Sequence, residues 1–235
     1  FVDCQGAVTA LGIDGCEKRG LGLAALIKSL SEVADRYDVL YCDLWGCVHD
    51  GAAPFAGAIE ALREFRNKGG RVVLLTNAQR SHRLVQDQLD GLGLPRDTYD
   101  LIVSSGDSAR AAMFSGAVGK RLYFVGTDRD RAFFAPDPDT AVAMEIELVD
   151  LDEAEGIVCC SPFDPLALLE DLDPVLEKAN TRGLTMLCAN PDLVVDRGGI
   201  REYCAGPVAQ RYEEIGGPSL YFGKPHAPIY HLARS

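Results

Sequence analysis

Positive charge is what this sequence has least of. It carries 23 Lys and Arg against 35 Asp and Glu, a formal charge of -12. A phosphate backbone or an anionic bilayer would repel such a chain, which argues against nucleic acid or membrane as a main partner. Long apolar runs are missing too: no stretch approaches the roughly 20 residues that span a bilayer. The eight cysteines include no Cys-x-x-Cys pair, and the four histidines are scattered, so neither a zinc framework nor a disulfide scaffold is expected. Cys42, Cys159, Cys160 and Cys188 fall in apolar runs, where a free thiol behaves as a small hydrophobe. That usage points to a reduced, cytoplasmic protein. No Gly-x-Gly-x-x-Gly follows the first core strand and no Gly-x-Ser-x-Gly elbow occurs, which removes nicotinamide-dependent dehydrogenases and serine hydrolases.

What is present is an alternation of strands and helices. Apolar residues at helical spacing (Leu23, Leu26, Ile27, Leu30, Val33, Ala34) predict a helix over 21–36. Residues 39–42 read as a short buried strand, and a helix opening at Pro54 places Phe55, Ile59, Leu62 and Phe65 on one face before Gly69-Gly70. "RVVLLTN", "HRLVQDQLDGLG" and "YDLIVSS" continue as strand, helix and strand. This order predicts an α/β fold: a parallel sheet wrapped by helices through right-handed crossovers. After two glycines near 116–119 the alternation resumes with strands at "KRLYFVG", "MEIELVD", "GIVCC" and "LTMLCAN", and a helix over 165–180. That unit is too large for a loop. Beyond it come a helix over 204–215, the strand "SLYFGK" and a final helix start. The expected layout is a core interrupted by an inserted domain, with joints near 115–119 and 191–199.

Ligands of open parallel sheets gather at the carboxyl ends of the strands. Those ends hold Asp43, Thr76-Asn77, Ser104-Ser105 and, after the last strand, Lys224. Each alone has an ordinary turn or surface reading; together they make a set suited to anions. A carboxylate can attack phosphorus and form an acyl phosphate. Hydroxyl and amide groups can hold the phosphoryl oxygens, and a lysine can neutralise the developing charge. Mg²⁺ is the cation expected to bridge carboxylate and phosphate.

The segments "DLWGCVHDG…PFAGAIEAL", "VVLLTNAQRS", "CANPDLVVDRGG" and "YFGKPHAPIY" resemble the haloacid-dehalogenase-like hydrolase superfamily, and within it the NagD-type phosphatases of subclass IIA. The likeness runs from residue 37 to residue 235. Ahead of it, residues 1–36 read as a leader and helix; the likeness implies a Rossmann-like core over 37–115 and 196–235, and an α/β cap inserted over 116–195. It implies that Asp43 is the nucleophile and that the Trp45 carbonyl joins it as an Mg²⁺ ligand. Thr76 and the Asn77 amide would hold phosphate, Lys224 would steady phosphate and Asp43, and Asn190 and Asp192 would lie near the substrate entrance. The partner implied is a small phosphorylated metabolite, with a homodimer left open.

Two departures qualify that expectation. The family's usual second aspartate, which handles the leaving-group proton, is replaced by Trp45, and an indole has no proton to exchange near neutral pH. Water, His49 or Asp50 are the substitutes at hand, although both side chains also read as ordinary loop residues. The family's fourth, acidic metal-binding motif does not occur up to Ser235, so the polypeptide is expected to continue. A catalytically weak relative that binds phosphate ligands is the competing reading.

Overall fold

The computed structural model describes residues 27–136, 144–197 and 199–235. They gather into two compact units: the described residues up to Thr76 with Gln86–Ile102, and Asn77–Val85 with Val103–Ser235.

In the first unit β1 (Val39–Cys42) and β2 (Arg71–Thr76) flank α1 (Ala56–Asn67) in sequence. The two strands pair in parallel, with Val39 opposite Arg71 and Cys42 opposite Leu74. After Arg71 every residue of β2 is buried. The uninterrupted run Val-Val-Leu-Leu is what a strand covered on both faces requires. Helix α1 turns Leu62 and Phe65 inward. The chain then passes through α2 (His82–Leu92) to β3 (Leu101–Ser104), and the sheet order is β1-β2-β3. Two arginines of α1 anchor it: Arg63 pairs with Asp97 at 2.8 Å, and Arg66 with Asp100 at 2.6 Å. The Asp100 carboxylate also accepts the Val72 N–H at 2.8 Å, joining helix, strand and turn.

The second unit holds α3 (Ser105–Phe114), β4 (Arg121–Val125), β5 (Glu147–Leu148), β6 (Gly156–Cys159), α4 (Asp173–Thr181) and β7 (Thr185–Cys188). It continues with β8 (Val194–Arg197), β9 (Ile200–Tyr203), α5 (Ala205–Glu214), β10 (Ser219–Tyr221) and α6 (Ala227–Arg234). Its parallel sheet has the order β10-β7-β6-β4-β5. Strand residues alternate between faces, and both faces are covered. Ile157, Cys159, Met186 and Cys188 pack with Leu176, Val208 and Tyr212. Val158, Cys160, Leu187 and Ala189 pack with Met113, Phe114 and Phe222.

Several boundaries differ from the sequence reading. Of the helix expected over 21–36, residues 21–26 lie outside the described residues. The remainder forms two short 3₁₀ turns, Leu30–Glu32 and Ala34–Arg36, separated at Val33, whose φ of -123° is not helical. The Ser29 and Ser31 hydroxyls bond each other at 2.7 Å, the kind of local side-chain bonding that competes with helix. The helix expected from 165 begins at Asp173, because Pro174 fits only the first turn. The strand expected over 144–150 shortens to Glu147–Leu148. Helix α3 was not anticipated, and residues 194–203, read mainly as a joint, form an antiparallel β8-β9 hairpin. Within this unit β10 pairs with β7, and residues of α5 share the core of that sheet. Among the described residues no helix is long and apolar enough to cross a membrane.

Candidate functional site

In the first unit the strand register brings two of the expected residues to one edge. Asp43 follows β1 directly and Thr76 closes β2. Because Cys42 lies opposite Leu74, both residues stand at the carboxyl ends of neighbouring parallel strands. Asp43 is half-buried, and its Oδ1 accepts the Leu44 N–H at 2.8 Å. The following loop is tightly wound. Val48 and His49 both donate their N–H groups to the Leu44 carbonyl, and Gly46 donates to the His49 carbonyl at 2.9 Å.

Trp45 and His49 meet edge to face, with ring centroids 5.4 Å apart. His49 is 3% exposed, and its Nδ1 accepts the Gly51 N–H at 3.0 Å. Burial pulls its pKa below the ordinary imidazole value, against the opposing pull of Asp50 and Asp43. The buried ring therefore favours the neutral form, with its remaining proton on Nε2. Asp50 is exposed; the Ala53 and Ala52 N–H groups hold its carboxyl below the usual range, as a turn residue would be held.

The second unit holds Asn77, Asn190, Asp192 and Lys224. Asn77 is 4% exposed. Its Nδ2 donates to the Asp192 carboxylate at 2.8 Å and to the Lys224 carbonyl at 3.0 Å, while its Oδ1 accepts the Lys224 N–H at 2.6 Å. Asn190 Oδ1 accepts the Asp192 N–H at 3.0 Å, closing the Asn-Pro-Asp turn. The structure thus joins Asn77, Asp192 and Lys224 directly, with Asn190 shaping the turn.

The strand-end serines are committed elsewhere. Ser104 Oγ accepts the Asp107 N–H at 2.9 Å and caps α3. Ser105 is buried, and its hydroxyl donates to the Ala189 carbonyl at 2.6 Å. Sequence reasoning missed a further polar cluster in this unit. The Asp130 carboxylate accepts from Gln79 Nε2, Ser161 Oγ, and the Thr127 amide and hydroxyl. Only the Thr-x-x-Asp capping box was legible there; Gln79 and Ser161 come from distant segments.

Asp43 and the Trp45 carbonyl do not make a complete Mg²⁺ site. Six oxygen ligands are the usual demand, and among the described residues no group of three or more His, Cys, Asp or Glu converges on a cation position.

A family model for haloacid dehalogenase-like hydrolases matches residues 40–136. A crystal structure of a haloacid dehalogenase-like hydrolase from Brucella suis 1330 is 39% identical, covers 88% of this chain and 74% of that one, and superposes with a TM-score of 0.80. Glycerol phosphate phosphatase from Mycobacterium tuberculosis, solved in complex with magnesium, is 26% identical with a TM-score of 0.61; the match covers 86% of this chain and 59% of that one. A curated protein, D-glycerol 3-phosphate phosphatase of Mycobacterium tuberculosis (strain ATCC 25618 / H37Rv), is 30% identical over 99 residues, 42% of this chain and 28% of that protein. The matched segment therefore spans little more than a quarter of that relative. With parallel strands that end on Asp43 and Thr76, and with the Brucella suis likeness extending over most of both chains, this chain belongs to the haloacid dehalogenase-like hydrolase family.

Proposed function

We propose that the chain hydrolyses a phosphomonoester of a small organic compound through an aspartyl-phosphate. The observation that carries this reading is the placement of Asp43 and Thr76 at the ends of adjacent parallel strands, in a chain of this hydrolase family. The Asp43 carboxylate oxygen attacks phosphorus, the P–O bond to the alcohol breaks, and the acyl phosphate retains the phosphoryl group. Water then cleaves that anhydride, releasing inorganic phosphate and restoring the carboxylate. The Thr76 hydroxyl and the Asn77 amide are the donors assigned to the phosphoryl oxygens, and Lys224 is the cation. Solvent supplies the leaving-group proton, because Trp45 cannot.

A divalent cation belongs to the proposal, since the magnesium-bound Mycobacterium tuberculosis relative supports one. Asp43 and the Trp45 carbonyl are the groups that would hold such an ion, which would supply charge neutralisation for the phosphoryl group. Each step above is ascribed to this chain's own residues; among the described residues no group of three or more His, Cys, Asp or Glu surrounds a cation position.

The test compares the wild-type chain with Asp43→Asn on p-nitrophenyl phosphate and D-glycerol 3-phosphate, with Mg²⁺ present and with chelator. The expected result is phosphate release that drops by at least about 10³-fold in the variant. Equal release from both proteins would sink the nucleophile assignment. Phosphate binding without turnover in the wild type would favour a ligand-binding relative.

A further inference from the structure

We propose that the Asn77 side chain is the positioning residue for Lys224: its carboxamide clamps the lysine's backbone from both sides and ties it to the Asn190-Pro191-Asp192 turn. The idea rests on the function proposed above, in which Lys224 supplies the positive charge.

Three observations converge. First, the clamp is two-sided. Asn77 Oδ1 accepts the Lys224 N–H at 2.6 Å while Nδ2 donates to the carbonyl of the same residue at 3.0 Å. A single carboxamide closing on one residue's amide and carbonyl fixes both position and rotation of that peptide segment, which one hydrogen bond cannot do. Second, the carboxamide is committed to this task. It is 4% exposed, and Nδ2 also donates to Asp192 at 2.8 Å, so reorientation would leave buried polar atoms unmet. Third, the backbone approach is built for it. A Cβ on Gly223 would fall 2.5 Å from Pro191 Cδ, 2.6 Å from Asn77 Oδ1 and 2.8 Å from Ser105 Oγ. Only glycine lets residue 223 approach these three segments so closely.

A lysine reaches its charge into place along four flexible bonds, so the precision of its ammonium depends on how firmly its Cα is held. Asn77 holds that Cα while lying next to Thr76 in sequence. One residue thereby offers its backbone amide to phosphate and its side chain to the lysine's main chain. Displacement of a catalytic charge by about 1 Å costs on the order of 10²-fold in rate.

The experiment is a double-mutant cycle on the full chain: wild type, Asn77→Ala, Lys224→Met and the double variant. Two readouts are followed, kcat and KM on p-nitrophenyl phosphate, and calorimetric binding of inorganic phosphate. Alone, Asn77→Ala is expected to lower kcat by about 10- to 100-fold and to weaken phosphate binding. In the Lys224→Met background it is expected to do neither, because the lysine it positions is gone. Equal losses in both backgrounds would overturn the proposal and make Asn77 a general structural residue. Unchanged kcat and binding in Asn77→Ala would overturn it as well.

If no variant including the wild type releases phosphate, the functional reading fails, and the binding cycle still decides the clamp by the same criterion. If Asn77→Ala does not fold, Gly223→Ala substitutes for it. Its added methyl should push residue 224 off the carboxamide and give the same loss, again absent once Lys224 is methionine; a loss that persists there would overturn the clamp.

Discussion

The indole of Trp45 lies against Gly51, so close that a Cβ on the glycine would sit 2.5 Å from Cη2 and 3.0 Å from Cζ2. Gly51 also has a φ of +92°, where an L side chain is strained. Trp45 is therefore seated in a loop shaped to receive it. Gly51→Ala should lose about 1–3 kcal/mol of stability, read from urea unfolding, and should slow any Asp43-dependent turnover. An unchanged unfolding midpoint would mean that the loop tolerates a displaced indole.

Proton supply gives a second prediction. If the absence of an exchangeable proton at residue 45 limits catalysis, Trp45→Asp should favour substrates with poor leaving groups. Alkyl phosphates should gain up to about 10²-fold, while p-nitrophenyl phosphate, whose leaving group departs unprotonated, should change little. Phosphate release from the two substrate classes under matched conditions is the measurement. A uniform change across both would place the limit elsewhere.

Asp100 is the structural counterpart. Burial alone would push its carboxyl up, but the Arg66 guanidinium and the Val72 N–H hold it below the usual range. Removing it in Asp100→Ala strips the carboxylate from Val72 N, in a fully buried residue, and leaves Arg66 only its bond to the Asp97 carbonyl. The expected loss is about 1–3 kcal/mol, with turnover per folded molecule unchanged. Because the folded carboxyl is depressed, its stabilisation is present above the unfolded value near 3.8 and fades as pH falls through the folded value. The variant's stability should therefore converge on the wild type's in acid.

Alkaline stability gives a fourth test. Burial pushes the Cys188 thiol up to about 12, and Cys159 and Cys160 are raised by the same cause. These thiols stay protonated in the folded chain while their unfolded counterparts ionise near 9, so stability is complete below about pH 9 and falls as pH rises toward 12. Cys188→Ala should flatten that fall by one proton, about 1.4 kcal/mol per pH unit. Denaturant melts at several alkaline pH values would show the slope; parallel curves for the two proteins would contradict the assignment.

Much of this molecule can be read from its residues because the signals are local. The Val-Val-Leu-Leu run of β2 and the spaced Leu62 and Phe65 of α1 declare a strand and a helix without outside help. Family membership follows from motifs that keep their order along the chain. What escaped were features set by tertiary partners. Ser104-Ser105 read as anion-binding strand ends, yet one caps α3 and the other donates to Ala189, 84 residues away. Helix α3 was hidden by its small polar residues; its signal was Ser104 with Asp107 three residues on. The Asn77 clamp spans 147 residues of chain, and no window of sequence displays such a pair.

One consequence of the loop geometry concerns observation rather than catalysis. The chain has eight tyrosines but a single tryptophan, and that indole follows Asp43 by two residues. Light that excites indole and not phenol will address this loop alone. The emission of Trp45 is a native label for the neighbourhood of Asp43, and a stopped-flow trace of it would time events there without any dye attached.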